Sequence, residues 1–390
     1  KIVSEHVVLK KPERILLTEA LGLVLAQDVL AREDGPAFHR SVMDGFAVRS
    51  ADTAGPSVTL KVVGILTAGA ASQRRLQKGQ AIQIATGAML PLGADAVVAK
   101  EDAEVGPGSL VKIFKKVDRG TDVYFRGSDF KKGAVLLKKG AVLTDLGVAF
   151  LASQGLSHIL AYPRPRVALV STGDEVVEAG RARRGAQVWN ATAPMLLASL
   201  RRLGVATTYL GIARDKRSQL KDLLRRGLRH DMLLVTGAVS AGSKDFVPSV
   251  LASLGVRTLF HKVRMRPGKP LLFGRKGECL VFGLPGNPLS TWIGFSLFVR
   301  PAVFEASGLK ETMEAQEGQL TQDVRNTSGR LSFLPARLKE IRGKRLISPL
   351  SYAGSADLLA ATRADAFFVV SAQATELAKG SNVVFMRMRG

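Results

Sequence analysis

The chain has 390 residues, 46% of them hydrophobic, and a formal net charge of +23 at pH 7. This length exceeds what one hydrophobic core usually serves, so roughly two to four domains are expected. The single cysteine excludes a disulfide framework and a zinc site of several cysteines, and it favours a reducing, cytoplasmic setting. No apolar run approaches the ~20 residues needed to cross a bilayer, so no membrane association is expected.

The excess of positive charge suggests an anionic partner. The basic residues are scattered through the chain, however, and they form neither a tail nor an aromatic-rich RNA-binding motif. A solvated basic surface is therefore the simpler interpretation, and nucleic acid is not an expected partner. The first residues, KIVSEHVVLKKPERILL, lack the pattern of a signal peptide and are expected to begin inside the first structural element.

The first part of the chain combines helical and β-forming segments. We expect residues 1–30 together with 122–163 to form a helical or linking domain that includes the apolar stretch TDLGVAFLASQGL. Residues 31–121 contain short β-forming runs separated by Gly-rich turns, such as SVTLKVVGILTAG and GQAIQIATGAMLP. This pattern predicts a small β-rich domain.

Strands and helices alternate from residue 164 to residue 308. Strands are expected at RVALVST, VATTYLGIA, DMLLVTG, KPLLFGR and CLVFGL, and helices at APMLLASLRRLG, KRSQLKDLLRRGL, VPSVLASLG and NPLSTWIGFSLFVRPAVFEASG. This alternation is typical of a doubly wound α/β domain, in which the ligand lies beyond the carboxyl ends of the strands. Residues 309–390 contain further strand-like runs and predict a C-terminal β-barrel-like domain. The chain is thus expected to be a multidomain α/β protein.

The segment LLVTGAVSAGSKDFV combines a strand, a loop of small residues and a helical stretch. Such a loop aims backbone N–H groups at a phosphate. It lacks the Gly-Lys-Ser/Thr ending of a Walker motif and ends instead in Lys244 and Asp245. Because an acid beside a phosphate requires a cation between the two negative groups, the loop predicts a bound Mg²⁺.

Other acids follow predicted strands or turns. They are Asp44 in SVMDGFAV, Asp174 and Glu175 in STGDEV, and Asp215. Each has an ordinary structural explanation, because Asp44 begins an Asp-Gly turn and the others stand where helix caps occur. The acids of the central sheet are nevertheless expected to meet in one crevice. The basic segment KVRMRPGKP is suited to hold an anion there, and the prolines of GLPGNP stiffen a neighbouring loop.

Five motifs in chain order resemble the molybdopterin molybdotransferase family, which includes MoeA and the E domain of gephyrin. They are SVMDGFAV, TGAMLPLGADAVV, STGDEV, RPGKPLLFG and GLPGNPLS. The resemblance covers nearly the whole chain and is loosest in the C-terminal domain. It implies four subdomains and a Mg²⁺-dependent transferase of molybdenum cofactor biosynthesis, which inserts molybdate into adenylylated molybdopterin and releases AMP. It also implies an elongated homodimer with an active site shared between subunits, and molybdopterin adenylyltransferase and molybdoenzymes as candidate partners.

The resemblance further implies the roles of individual residues. The catalytic residues would be Asp44, Thr86, Asp129, Glu175, Asp215 and Asp245. Mg²⁺ would be held by Glu175, Asp215 and Asp245. Substrate would be bound by Thr172, Gly173, Asp174, Thr236, Gly237, Ser240, Gly242, Lys262, Arg266, Lys269, Pro285, Gly286, Asn287, Pro288 and Ser355.

The chain departs from the family pattern at four positions. In the phosphate loop Ala238 replaces a glycine and Ser243 replaces an acid, and we expect Ala238 to need a negative φ. Ser128 stands where a glutamate is usual and Tyr124 where an arginine is usual. Three interpretations stay open: an active molybdotransferase, which we favour because the core acids remain, a catalytically impaired paralogue that serves as a scaffold, and a molybdopterin adenylyltransferase.

Overall fold

The computed structural model describes residues 1–70, 74–238, 246–309 and 316–388. The chain divides into two compact units. The larger unit comprises residues 1–26, 142–144 and 158–390, and the smaller unit comprises residues 27–141 and 145–157. Within the described ranges, no helix is long and apolar enough to cross a membrane.

Up to residue 162 the described chain is mainly β-structure. Its strands are β1 (Glu13–Leu16), β2 (Val24–Leu25), β3 (Val29–Leu30), β4 (Arg40–Ser41), β5 (Gly45–Val48), β6 (Val58–Leu66), β7 (Gln80–Ile84), β8 (Ala96–Ala99), β9 (Ala103–Gly106), β10 (Leu110–Ile113), β11 (Val123–Tyr124), β12 (Val135–Leu137) and β13 (His158–Tyr162), and the helix α1 spans Asp145–Ser153.

The smaller unit is built on a six-stranded sheet with the order β8-β5-β7-β6-β10-β9. Successive side chains of a strand point to opposite faces, so Phe46 and Val48 pack in one hydrophobic cluster while Ala47 packs in another. All of β5 is buried because both faces of this strand are covered. The predicted β-structure between residues 31 and 121 is therefore confirmed, whereas the domain boundaries stay predictions.

The first 30 residues differ from the expected helix. They contain short 3₁₀ turns at residues 4–6 and 17–19, and β1 pairs antiparallel with β13, placing Ile15 opposite Ile159. Pro12 stands directly before β1. A proline disfavours the helical conformation in the residue before it, which is consistent with an extended chain here. The predicted helical stretch after residue 144 is confirmed as α1.

The central region contains the predicted strands and helices. They are β14 (Val167–Thr172), β15 (Val176–Val177), β16 (Val188–Trp189), α2 (Thr192–Arg202), β17 (Thr207–Ala213), α3 (Arg217–Gly227), β18 (Met232–Thr236), α4 (Val247–Ser253), β19 (Arg257–His261), β20 (Met265–Arg266), β21 (Leu272–Lys276), β22 (Cys279–Leu284), α5 (Pro288–Gly294) and α6 (Arg300–Ala306). A π-helical turn at Phe295–Val299 joins α5 to α6, so the predicted long helix is confirmed with one irregular turn.

The central sheet has the order β17-β14-β18-β22-β21-β19. Its first four strands are parallel, and β21 and β19 are antiparallel to their neighbours. All six residues of β14 are buried because helices cover both faces of the sheet. Leu169 packs in a cluster with α2, the π-helical turn and α6, whereas Val170 packs with α3 and α4. The doubly wound α/β fold is confirmed. The single cysteine, Cys279, is buried at the start of β22.

The C-terminal region contains β23 (Gln316–Leu320), β24 (Val324–Arg325), β25 (Leu331–Ile341), β26 (Lys344–Pro349), α7 (Leu358–Arg363), β27 (Ala366–Val370), β28 (Glu376–Leu377) and β29 (Asn382–Arg387). The strands β25, β26, β23, β29 and β27 follow one another, and β27 pairs back with β25 to close a barrel. Its interior is filled by residues such as Ile347, Phe368 and Phe385. The expected C-terminal β-barrel-like domain is confirmed.

Candidate functional site

The four parallel strands of the central sheet end at the same edge. Thr172 of β14 lies in register with Ala213 of β17, and Thr236 of β18 lies in register with Leu284 of β22. Ser171 pairs with Thr236, so all four ends are at one level. The loops that leave these strands carry most of the predicted site residues, as a doubly wound sheet requires.

A cleft of ≈ 530 Å³ opens at this edge. Its walls come from the loops after β14, β18, β20 and β22 and from two loops of the C-terminal barrel. The lining residues are Glu175, Gly237, Ala238, Arg266, Pro267, Gly268, Lys269, Pro270, Pro285, Gly286, Asn287, Ser290, Arg330, Tyr352, Gly354 and Ser355. Eight predicted site residues are thus brought together.

The described lining of the cleft carries three cations and one carboxylate. The cations are Arg266, Lys269 and Arg330, and the carboxylate is that of Glu175. Arginine and lysine form charge-assisted hydrogen bonds with phosphate and other oxyanions. The cleft is therefore suited to a ligand that carries several negative charges and that also contacts one acid.

Glu175 is presented by a tight turn after β14. Gly173 has a φ of +126°, and a Cβ at this position would lie 2.6 Å from a carboxylate oxygen of Glu175. Only glycine therefore allows this backbone and this position of the acid. The backbone N–H of Asp215 donates a hydrogen bond of 3.1 Å to Oδ1 of Asp174. The ends of β14 and β17 thus bring two predicted acids together.

Thr172 and Thr236 hold the strand ends to each other. The hydroxyl of Thr172 donates to the carbonyl oxygen of Thr236 over 2.9 Å, and the hydroxyl of Thr236 lies 3.3 Å from the hydroxyl oxygens of Ser171 and Thr192. Both threonines are buried. Gly237, which follows, has a φ of +85° and leaves room for no Cβ, because one would lie 2.8 Å from Oγ1 of Thr172. These hydroxyl groups hold the edge together rather than facing the cleft.

The GLPGNP loop is fixed by the barrel. The side-chain amide of Asn287 donates to the hydroxyl of Ser355 over 2.8 Å, and the N–H of Leu289 donates to the carbonyl of Ser355 over 3.1 Å. The hydroxyl of Thr291 donates to the carbonyl oxygen of Pro285. Pro288 begins α5, a position where the missing N–H costs nothing. The predicted residue Ser355 therefore reaches the cleft as part of a hydrogen-bonded loop pair.

Lys262 lies on a different surface from its predicted partners. Its φ is +75°, and its N–H donates to the carbonyl of Leu271 over 2.8 Å. It lines a second cavity, of ≈ 520 Å³, together with residues such as Phe260 and Phe298. The structure thus groups Arg266 and Lys269 in the cleft and places Lys262 elsewhere.

In the smaller unit, Asp44 and Thr86 form a local pair. Oδ1 of Asp44 accepts hydrogen bonds of 2.8 Å from both the N–H and the hydroxyl of Thr86. Nζ of Lys100 lies 3.9 Å from the other carboxylate oxygen. The hydrogen bonds from Thr86 hold the pKa of Asp44 below its usual value, and Lys100 acts in the same direction. Asp44 is therefore an exposed, ionised acid.

The second predicted acid of this unit, Asp129, is bound by Tyr124, one of the residues that depart from the family pattern. The hydroxyl of Tyr124 donates a 2.5 Å hydrogen bond to Oδ1 of Asp129. This bond raises the pKa of the Tyr124 phenol. The guanidinium of Arg40 lies 5.0 Å from the centre of the Tyr124 ring. Arg40 of β4 thus contacts the ring of the tyrosine whose hydroxyl binds Asp129.

The phosphate loop is described only in part. Ser240, Gly242, Ser243 and Asp245 lie outside the described residues. Ala238 is described, and the expectation that it adopts a negative φ is wrong, because its φ is +48°. Its side chain packs against the hydrophobic cluster on the α3 and α4 face of the sheet. This packing offsets part of the ~1–2 kcal/mol that a left-handed backbone costs an alanine.

The oxygen donors at the sheet edge fit a magnesium ion bound with a phosphate. In the described part of the chain, no three His, Cys, Asp or Glu side chains form a group able to hold a metal ion by themselves. The backbone N–H of Asp215 nevertheless binds the carboxylate of Asp174, and Glu175 follows Asp174 directly in the chain. Mg²⁺ prefers oxygen ligands and is usually held by one or two carboxylates together with substrate phosphates. The carboxylates at this edge are a donor set that substrate phosphates would complete.

Among the cleft residues that the sequence did not predict are Arg330 and Tyr352. Both belong to the C-terminal barrel, and burial raises the pKa of the Tyr352 phenol. Arg330 precedes β25, which pairs with β20 and so approaches the RPGKP segment. The one signal in the sequence was Ser355, a predicted site residue of the C-terminal region. If Ser355 belongs to the site, the barrel has to reach the edge of the central sheet.

Three family models cover the chain. The MoeA N-terminal region (domain I and II) matches residues 1–155, the probable molybdopterin binding domain matches residues 168–305, and the MoeA C-terminal region (domain IV) matches residues 317–387. The chain is similar to a solved structure of the molybdopterin biosynthesis MoeA protein from Pyrococcus horikosii. The TM-score is 0.82 at 31% identity, covering 100% of this chain and 97% of the other.

Curated relatives agree with this assignment. The molybdopterin molybdenumtransferase of Bacillus subtilis is 33% identical, covering 97% of this chain and 90% of the relative. That of Haemophilus influenzae is 30% identical, covering 95% of this chain and 92% of the relative. The resemblance seen in the five motifs is therefore confirmed, and the chain belongs to the molybdopterin molybdenumtransferase (MoeA) family, whose members are transferases of molybdenum cofactor biosynthesis.

Proposed function

We propose that this chain inserts molybdate into adenylylated molybdopterin and releases AMP. The observation that carries the proposal is the cleft at the carboxyl edge of the central sheet, which is lined by Arg266, Lys269 and Arg330 together with Glu175. Both substrates are anions, and adenylylated molybdopterin contains a phosphate chain. A cleft with three cations and an acid at the sheet edge suits both.

The residues of the cleft have separate tasks. The guanidinium groups of Arg266 and Arg330 and the ammonium of Lys269 bind oxyanions. Asn287 and Ser355 fix the GLPGNP loop through their 2.8 Å hydrogen bond. Prolines in this loop remove backbone N–H donors and leave carbonyl oxygens. The loop therefore shapes one wall of the cleft without itself binding the anion.

A magnesium ion belongs to the same proposal. Glu175 and Asp215 would hold it, with Asp245 outside the described residues as the third predicted ligand. When bound, Mg²⁺ would neutralise the phosphate and polarise the bond to be broken. The hydrogen bond between Asp215 and Asp174 keeps two acids at this edge before any ligand arrives.

A homodimer with a shared active site completes the proposal. The larger unit supplies the cleft, and Asp44 is the ionised acid that the family resemblance assigns to the site shared with the partner subunit. A twofold dimer would then contain two equivalent sites. Exchange of substrate and product with molybdopterin adenylyltransferase and molybdoenzymes, and a cytoplasmic location, are part of the same proposal.

The test is AMP release from adenylylated molybdopterin, measured with and without molybdate and Mg²⁺. We expect AMP only when both are present and none in excess chelator. Lys269→Met should lower the rate at least 10-fold, because a charge-assisted hydrogen bond to the anion is lost. Lys276→Met, which removes the same charge from an exposed site at the end of β21, is the matched control.

Two outcomes would contradict the proposal. Adenylylation of molybdopterin from MgATP without molybdate would favour the adenylyltransferase alternative. A folded protein that binds adenylylated molybdopterin but releases no AMP under any condition would favour the scaffold alternative.

A further inference from the structure

Arg214 makes an unusual pair of contacts next to the site. It lies between β17 and α3, directly before Asp215. Its Nη1 atom donates a 2.8 Å hydrogen bond to the carbonyl oxygen of Asp174 and a 3.1 Å hydrogen bond to the carbonyl oxygen of Val176. One nitrogen therefore binds the carbonyl groups on both sides of Glu175.

The carbonyl group of Glu175 itself is also bound. The N–H of Val188 donates to it over 2.8 Å, in the short parallel pairing of β15 with β16. Three consecutive carbonyl groups, those of residues 174, 175 and 176, thus have a donor. The backbone around Glu175 is held at every peptide, although the turn is short and its acids are exposed.

The contacts also run in the opposite direction. Oδ1 of Asp174 accepts the N–H of Asp215, the residue that follows Arg214. The loops after β14 and β17 are therefore joined by a side chain from each. Arg214 is not among the lining residues of the cleft, so it acts on the site through the backbone of its neighbours.

We propose that Arg214 is a positioning residue that holds the Glu175 backbone, and thereby aims the Glu175 carboxylate into the cleft. Arg214 is not one of the residues to which the family resemblance gives a role, and the inference rests on the proposed function only for its effect on catalysis. A planar guanidinium with fixed donors suits the task, because it loses little freedom for each hydrogen bond it forms. Loss of such a supporting partner typically costs 10-fold to 100-fold in activity or metal affinity.

The first test measures local order without substrate. Hydrogen–deuterium exchange is compared in wild type, Arg214→Met and Arg225→Met. The last variant removes the same charge from the exposed far end of α3. We expect faster exchange of the amides of residues 174–178 and of Val188 in Arg214→Met alone, with exchange in β22 unchanged. Equal exchange in wild type and Arg214→Met would overturn the proposal.

The second test is a double-mutant cycle on AMP release. Arg214→Met alone should lower kcat about 10-fold to 100-fold. In the background of Glu175→Gln it should lower kcat no further, because the carboxylate that Arg214 positions is already absent. Additive losses in the cycle would show that Arg214 acts independently of Glu175 and would overturn the inference. A wild-type protein without AMP release would contradict the proposed function and leave the exchange experiment to decide this one.

The conservative variant separates positioning from folding. Arg214→Lys keeps a positive donor on a shorter side chain, so part of both the exchange protection and kcat should return. If Arg214→Met does not fold, Arg214→Lys takes its place in both experiments. An Arg214→Lys protein with wild-type exchange but fully lost activity would contradict a positioning role.

Discussion

Glu175 in the larger unit and Asp44 in the smaller unit are both predicted catalytic acids beside a strand, yet their surroundings differ. At Asp44 the neighbours bind the carboxylate, with two 2.8 Å hydrogen bonds from Thr86. At Glu175 the neighbours bind the backbone carbonyl groups on both sides, and no described residue donates a hydrogen bond to the carboxylate.

The difference shows two ways to fix the position of an acid, by hydrogen bonds to its carboxylate or by hydrogen bonds to its backbone. A carboxylate that accepts local hydrogen bonds is kept ionised and fixed in direction, at the cost of lone pairs available to a ligand. An acid fixed through its backbone keeps its carboxylate for a ligand such as a metal ion. We therefore expect Asp44 to act as a fixed charge and Glu175 to act as a ligand.

The largest expected effect tests whether the two acids serve one site. Asp44→Ala and Glu175→Ala should each be almost inactive alone. Refolded together, they should form mixed dimers in which one site carries both lesions and the other carries neither. Because random pairing makes half of the dimers mixed, AMP release should approach roughly a quarter of the wild-type rate at equal amounts.

The control for this experiment is each variant unfolded and refolded alone by the same procedure. If mixed dimers are present and no mixture exceeds the sum of the two variants, the acids do not meet across a dimer. Asp44 and Glu175 would then belong to two separate sites.

A smaller effect compares two glycines with left-handed backbones, Gly237 in the cleft that contains Glu175 and Gly87 next to Thr86. Gly237 has a φ of +85° and Gly87 has a φ of +80°. A Cβ at Gly237 would lie 2.8 Å from Thr172 Oγ1, whereas a Cβ at Gly87 would meet nothing within 4 Å. Gly87→Ala should therefore cost only the ~1–2 kcal/mol of left-handed strain. Gly237→Ala should cost a further ~1–3 kcal/mol from crowding.

The measurement is the free energy of unfolding in urea for both variants. Equal losses of unfolding free energy would mean that the edge of the central sheet accommodates a Cβ as easily as the open turn beside Thr86. The contrast between a rigid and a permissive loop would then be wrong.

Ala238→Gly tests the same sheet edge in the opposite direction. Ala238 has a φ of +48°, so glycine should relieve strain while adding freedom to the unfolded chain. We expect the free energy of unfolding to rise by roughly 0.5–1 kcal/mol. A loss of stability would show that packing of the Ala238 methyl group outweighs the strain.

The smallest effect concerns the pKa of Asp44. Thr86→Val removes the hydroxyl donor and keeps the N–H donor, so the pKa of Asp44 should rise partway toward its usual value. The pH titration of the Asp44 carboxyl by NMR measures this shift. Lys115→Met, which removes a cation bound to Asp102 elsewhere on the unit, should leave it unchanged. No shift in Thr86→Val would mean that the N–H bond alone holds the acid.

Much of the fold followed from local patterns. The central strands are continuous apolar runs, and helices of the right period separate most of them, so the doubly wound sheet was predictable. The first 30 residues were not, because ERIL becomes a strand only by pairing with His158–Tyr162, far away in the sequence. Short strands of this kind have no periodicity of their own and depend on tertiary contacts.

Part of the candidate site was also predictable from the sequence. Residues at strand ends, such as Glu175, Gly237 and Lys269, line the cleft because sheet topology places them there. Arg330 required knowledge of how the barrel meets the sheet, and Arg214 required the direction of a long side chain. Lys262 shows the reverse, since its closeness in sequence to Arg266 did not place it in the cleft. The individual roles of all these residues stay predictions.

The burial of Cys279 has a practical consequence for spectroscopy. Burial raises the pKa of this thiol to about 12, so almost no reactive thiolate exists at neutral pH in the folded protein. Because the sequence contains no other cysteine, a thiol introduced at an exposed position would be the single site to take up a maleimide dye or a spin label. The wild-type chain is thus already a cysteine-light background for labelling, without any mutation of its core.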